Sequence, residues 1–269
     1  MKTEQWQWSA NAGWTPGSLP ETADLGTSAQ VVLLFGSVLA IEAGRCFDLA
    51  RSAYPNAHLF GCTTGGEIHS RYITDSTVTI TAIAFEDSHV ALARTRISDI
   101  DHSFEAGANL VQSLDTTGLQ HVFVLSEAFL VNASELIRGI NSVLPAGITV
   151  SGGFAGDGNR WMETHVWCDG DPERSSVVAL AFYGDRLRVG VSTGTGWDPF
   201  GPDRLITKSK DNVLYEIDGQ PALNLYRKYL GQYARSLEAS GFFFPQSPDL
   251  LDSGLMFPLA VRLGDSQER

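Results

Sequence analysis

The chain has 269 residues and a mass of 29.1 kDa, enough for one large domain or two ordinary ones with a real core. Hydrophobic residues make up 43% and charged residues 19%, a globular composition that excludes disorder and collagen-like structure. Nineteen Lys and Arg against 31 Asp and Glu leave a net charge of -12, which argues against a general nucleic-acid binder and against docking on anionic membranes.

Residues 1–30 are polar but carry Trp6, Trp8 and Trp14, and read as a partly ordered arm that packs somewhere. This segment lacks a signal-peptide core. Val31-Val32-Leu33-Leu34-Phe35 is a continuous apolar run closed by Gly36-Ser37, a buried strand and far too short to span a bilayer. A helix over Ile41 to Ala53 follows, ended by Pro55-Asn56. His58-Leu59-Phe60 is a short strand leading into a glycine loop, Gly61 to Glu67. Val78 to Phe85 and Val90 to Ile97 are strands, and Phe104 to Leu114 is a helix.

From here the pattern repeats. Shifted by 90 residues, Gln120 to Asp157 lies on Gln30 to Glu67 without a gap, so that Pro145 meets Pro55 and Gly156 meets Gly66. Farther on, Ala179-Leu180-Ala181-Phe182 matches Ala82-Ile83-Ala84-Phe85 at a shift of 97. The order strand, helix, proline, strand, glycine loop, acid is kept, which reads as an internal duplication. The fold class expected is α/β, or α+β, with duplicated strand–helix–strand units forming mixed sheets and helices packed on them.

After Asp203, Ile206 to Asp218 reads as a strand pair or an extended segment and Pro221 to Leu230 as a helix. Gly241 to Ser253 reads as a linker, and Leu255 to Leu263 as the opening strand of something further, so the chain looks like part of a longer protein. The expected divisions are 1–30 as the arm, 31–230 as one domain of two half-repeats (about 31–118 and 121–230), and 231–269 as a linker with the start of another domain.

Two glycine loops are the candidate site. The first is Gly61, Cys62, Thr63, Thr64, Gly65, Gly66 and Glu67; the second is Gly152, Gly153, Phe154, Gly156 and Asp157. Glycines after a strand let a ligand approach backbone N–H groups, and such loops form anion nests. Ser126, at the end of a strand, is placed to line the same cleft. Neither loop is a Walker or Rossmann signature. Cys62 sits inside the first loop and falls opposite Gly152 in the repeat; near oriented N–H groups it is a candidate low-pKa thiol. The three cysteines, Cys46, Cys62 and Cys168, form no CxxC pair and no disulfide framework, as in a reduced cytoplasmic protein. No His pair stands at zinc-protease spacing. Glu67-Ile68-His69 and Glu163-Thr164-His165 share a Glu-x-His pattern; of these two histidines His165, close in sequence to Phe154, Trp161 and Trp167, is the better candidate axial haem ligand, against the plain alternative of a strand histidine.

At these loops the sequence resembles the FIST family (F-box and intracellular signal transduction) of sensory domains. The stretches that carry the likeness are Leu59 to Ile68, Val150 to Asp157, and Ile206-Thr207-Lys208 with Asn212 to Ala222. The likeness covers about 31–230, and Phe257-Pro258-Leu259 resembles the start of the FIST C-terminal region. The resemblance implies a cytoplasmic bacterial sensor of a small ligand, an amino acid or haem with nitric oxide. Its output would pass to a separate partner, a histidine kinase or a cyclic-di-GMP enzyme. Two other readings stand beside it. One is a small-metabolite enzyme using Cys62 or Thr63 with Glu67 or Asp157 as acid or base. The other is a protein-interaction scaffold presenting the Trp-rich arm and Phe242-Phe243-Phe244.

Overall fold

The computed structural model describes residues 1–231, except 20, 159, 161, 193, 195, 211 and 212, together with 257–261. It divides into two compact units, Met1–Val191 and Ser192–Arg269. In chain order the first unit contains β1 (Lys2–Ser9), β2 (Gly13–Thr15), β3 (Val31–Gly36), α1 (Val38–Ala43), α2 (Cys46–Ala53), β4 (His58–Thr63), β5 (Glu67–His69), β6 (Tyr72–Thr74) and β7 (Val78–Ala84). It continues with β8 (His89–Arg96), α3 (Ser103–Gln112), β9 (Leu119–Ser126), α4 (Ala133–Val143), β10 (Thr149–Phe154), β11 (Val166–Cys168) and β12 (Ser176–Tyr183).

Apart from β5 and β6, which form a two-stranded ribbon, these strands build two mixed sheets, β11-β4-β3-β7-β1-β2 and β10-β9-β12-β8. In each sheet a parallel pair (β3 with β4, β9 with β10) lies beside two antiparallel strands (β7 and β1, β12 and β8). Strand alternation divides the side chains between two faces. Val32, Leu34, Val78 and Ile80 of the first sheet pack with Ile41, Cys46 and Ala50 of α1 and α2. Val122, Val124, Val177 and Ala179 of the second pack with Leu110, Leu136 and Ile140 of α3 and α4. The opposite faces meet in a third core of Val31, Phe60, Leu125, Val178 and Leu180. The unit is thus four layers, helix, sheet, sheet, helix. This is the α/β class with duplicated units that the sequence implies.

The hydrogen-bond register refines the repeat. Gly36 pairs with Val78 as Ser126 pairs with Val177, and Val31 lies beside His58 as His121 lies beside Thr149. The shift is therefore 90 residues for the first strand of each parallel pair, 91 for the second and 99 for the strand antiparallel to it. The gapless alignment does not hold: one residue is gained between the helix and β10, and the later shift is 99, not 97. Cys62 accordingly corresponds to Gly153, and Gly61 to Gly152. A Cβ at either glycine would lie 1.8 Å from an equivalent carbonyl, that of Leu34 or of Val124.

The N-terminal segment is a structural strand and not an arm. Trp8 of β1 pairs with Val78 where Thr95 of β8 pairs with Val177, so β1 is the counterpart of β8. Trp6 is buried and its indole N–H donates to the Tyr54 hydroxyl at 2.8 Å. The expected single helix over Ile41 to Ala53 is broken. Arg45 adopts a left-handed φ of 48°, and a Cβ at Gly44 would come within 2.8 Å of the Trp8 ring. The glycine that admits Trp8 also ends α1.

In the second unit, β13 (Ile206–Lys210) and β14 (Val213–Ile217) form an antiparallel pair, followed by a short strand β15 (Gln220–Pro221) and α5 (Ala222–Leu230), as the sequence implies. Arg204 donates to Asp218 at 2.9 Å and to the Tyr229 hydroxyl at 3.0 Å. Residues 257–261 form neither helix nor strand, and the expected linker and Phe242-Phe243-Phe244 lie outside the described residues. Among the described residues no helix is long and apolar enough to cross a membrane.

Candidate functional site

The two glycine segments begin as the last residues of β4 and β10 and become loops only at Thr64 and Ala155. Equivalent bonds hold both exits: Thr64 N–H donates to Gly36 O at 3.2 Å, and Ala155 N–H to Ser126 O at 2.7 Å. The structure brings the two loops into contact, with Gly156 N–H donating to Thr63 O across 2.8 Å. A Cβ at Gly156 would stand 3.0 Å from the Gly65 nitrogen. A side chain at this crossing would push the facing backbone back by a few tenths of an ångström.

Most polar side chains singled out by sequence are used to hold these loops. Thr63 is 1% exposed; its Oγ1 accepts from His165 N–H at 3.0 Å, while its own N–H donates to His165 O at 2.9 Å. Glu67 is 2% exposed and accepts from the Thr64 hydroxyl (2.6 Å), the Thr77 hydroxyl (2.7 Å) and the Thr77 N–H (3.1 Å). Asp157 accepts from the N–H groups of Met162 (2.8 Å) and Glu163 (3.1 Å) and so closes the turn that follows it. The Ser126 hydroxyl donates to Glu127 O at 2.8 Å. Gly65, Gly152, Gly153 and Phe154 are exposed, with Thr64, Gly66 and Gly156 half-buried.

Cys62 does not fit the expected activated thiol. It is buried in the core between the sheets, and burial pushes its thiol up to about 12. Cys46 and Cys168 are raised to about 12 for the same reason.

His165 joins the site directly, as the residue opposite Thr63. Arg174 Nε donates to His165 Nε2 at 3.2 Å, which puts the imidazole proton on Nδ1. That Nδ1 is buried and has no hydrogen-bond partner. Burial pulls the His165 pKa down, with Glu42 and Asp157 raising it and Arg160 lowering it. Arg174 also pairs with Glu163. A hollow of about 580 Å³ opens beside it, lined by Arg96, Ile97, Ser98, Glu173, Arg174 and Ser175. Charged groups therefore act on His165, unlike in an apolar haem slot, and its Nε2 is already engaged by Arg174. Trp161 lies outside the described residues. Among the described residues no group of three or more His, Cys, Asp or Glu is arranged to hold a metal ion.

The sequence pattern drew attention to Glu163 only through its spacing to His165, and to Arg160, Arg174 and Thr77 not at all. The pairing of β11 with the β4 exit brings Arg174 and Glu163 to His165, and Thr77 reaches Glu67 through the β5–β6 ribbon.

The FIST N domain family matches residues 30–220. An uncharacterized protein of Methanocaldococcus jannaschii, MJ1623, is 21% identical over 249 residues, which are 88% of this chain and 48% of the relative. The chain spans about half the length of the curated relative it matches.

Proposed function

The chain belongs to the FIST N domain family of sensory domains, and on that premise we propose that it binds a small ligand where its two glycine loops cross and signals through their displacement. The observation that carries the reading is the 2.8 Å bond from Gly156 N–H to Thr63 O. It ties one half-repeat to the other at the ends of both parallel strand pairs, so a ligand that moves either loop biases both sheets. Sensing requires that the ligand favour one of two states, and a ligand that binds this contact more tightly in one arrangement than in another would supply that bias.

An amino acid fits better than haem as the ligand. The fields of Glu42, Asp157 and Arg160 reach His165, whose Nδ1 is buried without a hydrogen-bond partner, and Arg174, paired with Glu163, bonds its Nε2. Charges of both signs acting on an unsatisfied donor suit a zwitterion. Haem would need Arg174 to leave His165 Nε2 and would sit among charged groups. The output is to a histidine kinase or a cyclic-di-GMP enzyme, the reading drawn from the sensory character of the family.

Thermal unfolding of the purified chain with each of the common amino acids at millimolar concentration tests this. A rise in melting temperature with one or a few of them, abolished in His165→Ala, is expected. No rise with any amino acid removes the amino-acid reading. A Soret band after haem reconstitution that disappears in His165→Ala would replace it with haem.

A further inference from the structure

The two sheets differ at one edge. In the first, β11 covers β4, pairing Val166, Trp167 and Cys168 with Cys62, Gly61 and Phe60. The Trp167 indole lies over Gly61 and meets Phe47 of α2 edge-on, with ring centroids 5.3 Å apart. In the second sheet, no described strand pairs with the outer side of β10. The counterparts of the Trp167 seat are nevertheless present. Gly152 takes the place of Gly61, and Ile137 of α4 takes the place of Phe47. Ile137 is 41% exposed, and Phe154, on the same face as Gly152, is 47% exposed. The strand reads Thr-Val-Ser-Gly-Gly-Phe and carries no charge, proline or bulge of the kind that usually guards an open edge.

We propose that β10 pairs with β10 of a second copy of this chain, antiparallel, with the two-fold axis at Gly153. The strand supplies both halves of the seat. With Gly153 opposite its own copy, Phe154 falls opposite Gly152 of the mate, as Trp167 falls opposite Gly61, and reaches the mate's Ile137, as Trp167 reaches Phe47. The backbone agrees with this register. Thr63 N–H bonds to His165 O, so residues 61 and 63 turn their peptide groups to the sheet edge. Their counterparts are Gly152 and Phe154. The pairs 154 with 152 and 152 with 154 are then the hydrogen-bonded ones, and Gly153 forms the closer, non-bonded pair on the axis. An uncharged strand meets its copy without like-charge repulsion, and the same patch serves both subunits, as a two-fold interface requires. The pairing does not depend on the ligand reading above.

The test uses the full chain. Sedimentation equilibrium is expected to show a monomer–dimer equilibrium at micromolar concentration, and Phe154→Ala to weaken it by about tenfold or more. Gly153→Cys, where a Cβ meets nothing within 4 Å, is expected to form a covalent dimer on mild oxidation that reductant reverses. Phe154→Ala changes an exposed side chain, so its readout survives should Gly153→Cys fold poorly. A chain that stays monomeric at every concentration overturns the proposal. So does a dimer that Phe154→Ala leaves at full strength.

Discussion

Gly61 lies so close under Trp167 that a single methyl group on it would come within 2.7 Å of the indole nitrogen, besides meeting the Leu34 carbonyl. Both neighbours are fixed, one by its strand and the other by burial at 1% exposure. Gly61→Ala should therefore cost about 3 kcal/mol, the upper end of overpacking penalties. Gly152→Ala meets the equivalent Val124 carbonyl and also puts a side chain on a φ of 156°, so its cost should be of the same order. Urea unfolding of both variants checks this; a small loss in either would show that its strand shifts to admit the methyl group.

Glu67 presents both carboxylate oxygens to donors only. Glu67→Gln replaces one acceptor with an NH2 group facing a hydroxyl or the Thr77 N–H at a residue only 2% exposed. A loss of about 1–3 kcal/mol is expected. The rescue test is Thr77→Ser, which keeps the hydroxyl and should leave stability within about 1 kcal/mol of wild type. If Glu67→Gln is neutral, the carboxylate is not what secures the first loop to β7.

Mild acidification should weaken the fold through its buried histidines. Burial lowers the pKa of His121, whose ring nitrogens lie 2.7 Å from the Thr149 hydroxyl and 2.8 Å from that of Ser151, and burial also lowers that of His165. The unfolded chain takes up protons near pH 6.5 while the folded chain resists them, so stability is full above about pH 6.5 and falls below it toward the folded pKa values. Urea midpoints at about pH 7.5 and about pH 5 should differ in that direction. His121→Asn should reduce the difference; an unchanged slope would mean that His121 titrates normally.

The thiols should be slow. With all three held near 12 by burial, a thiol reagent at neutral pH should modify the native chain far more slowly than the urea-unfolded chain. Rapid, selective labelling of Cys62 in the native state would revive the small-metabolite enzyme using that residue as nucleophile.

Much of this architecture was legible in the residues. The buried runs at Val31 and Val122, the prolines at 55 and 145 and the glycine loops gave the class and the repeat, because strand burial and turn chemistry are local. The register was not legible, since one added residue before β10 leaves no mark in composition, yet it moves the counterpart of Cys62 from Gly152 to Gly153. Nor was the strand character of residues 2–9 legible. Lys2-Thr3-Glu4-Gln5 is polar because only Trp6 and its neighbours face the core, and the partner strand β7 lies some seventy residues away. At the site, sequence found the loops but not their contact. The carboxylates at 67 and 157 looked available, and only the fold shows that they are bonded to Thr77 and to the turn at 162–163.

The pairing of β1 with β7 sets an order of events during synthesis. The first sheet can close as soon as β7 leaves the ribosome, because all of its strands except β11 have by then been made. The face carrying Val31, Phe60 and Cys62 has no cover until β9 and β12 arrive, about a hundred residues later at the rate of chain growth. A nascent chain therefore presents a finished sheet with one bare apolar side for several seconds. Chaperone engagement should concentrate in that interval and end once Leu180 is translated.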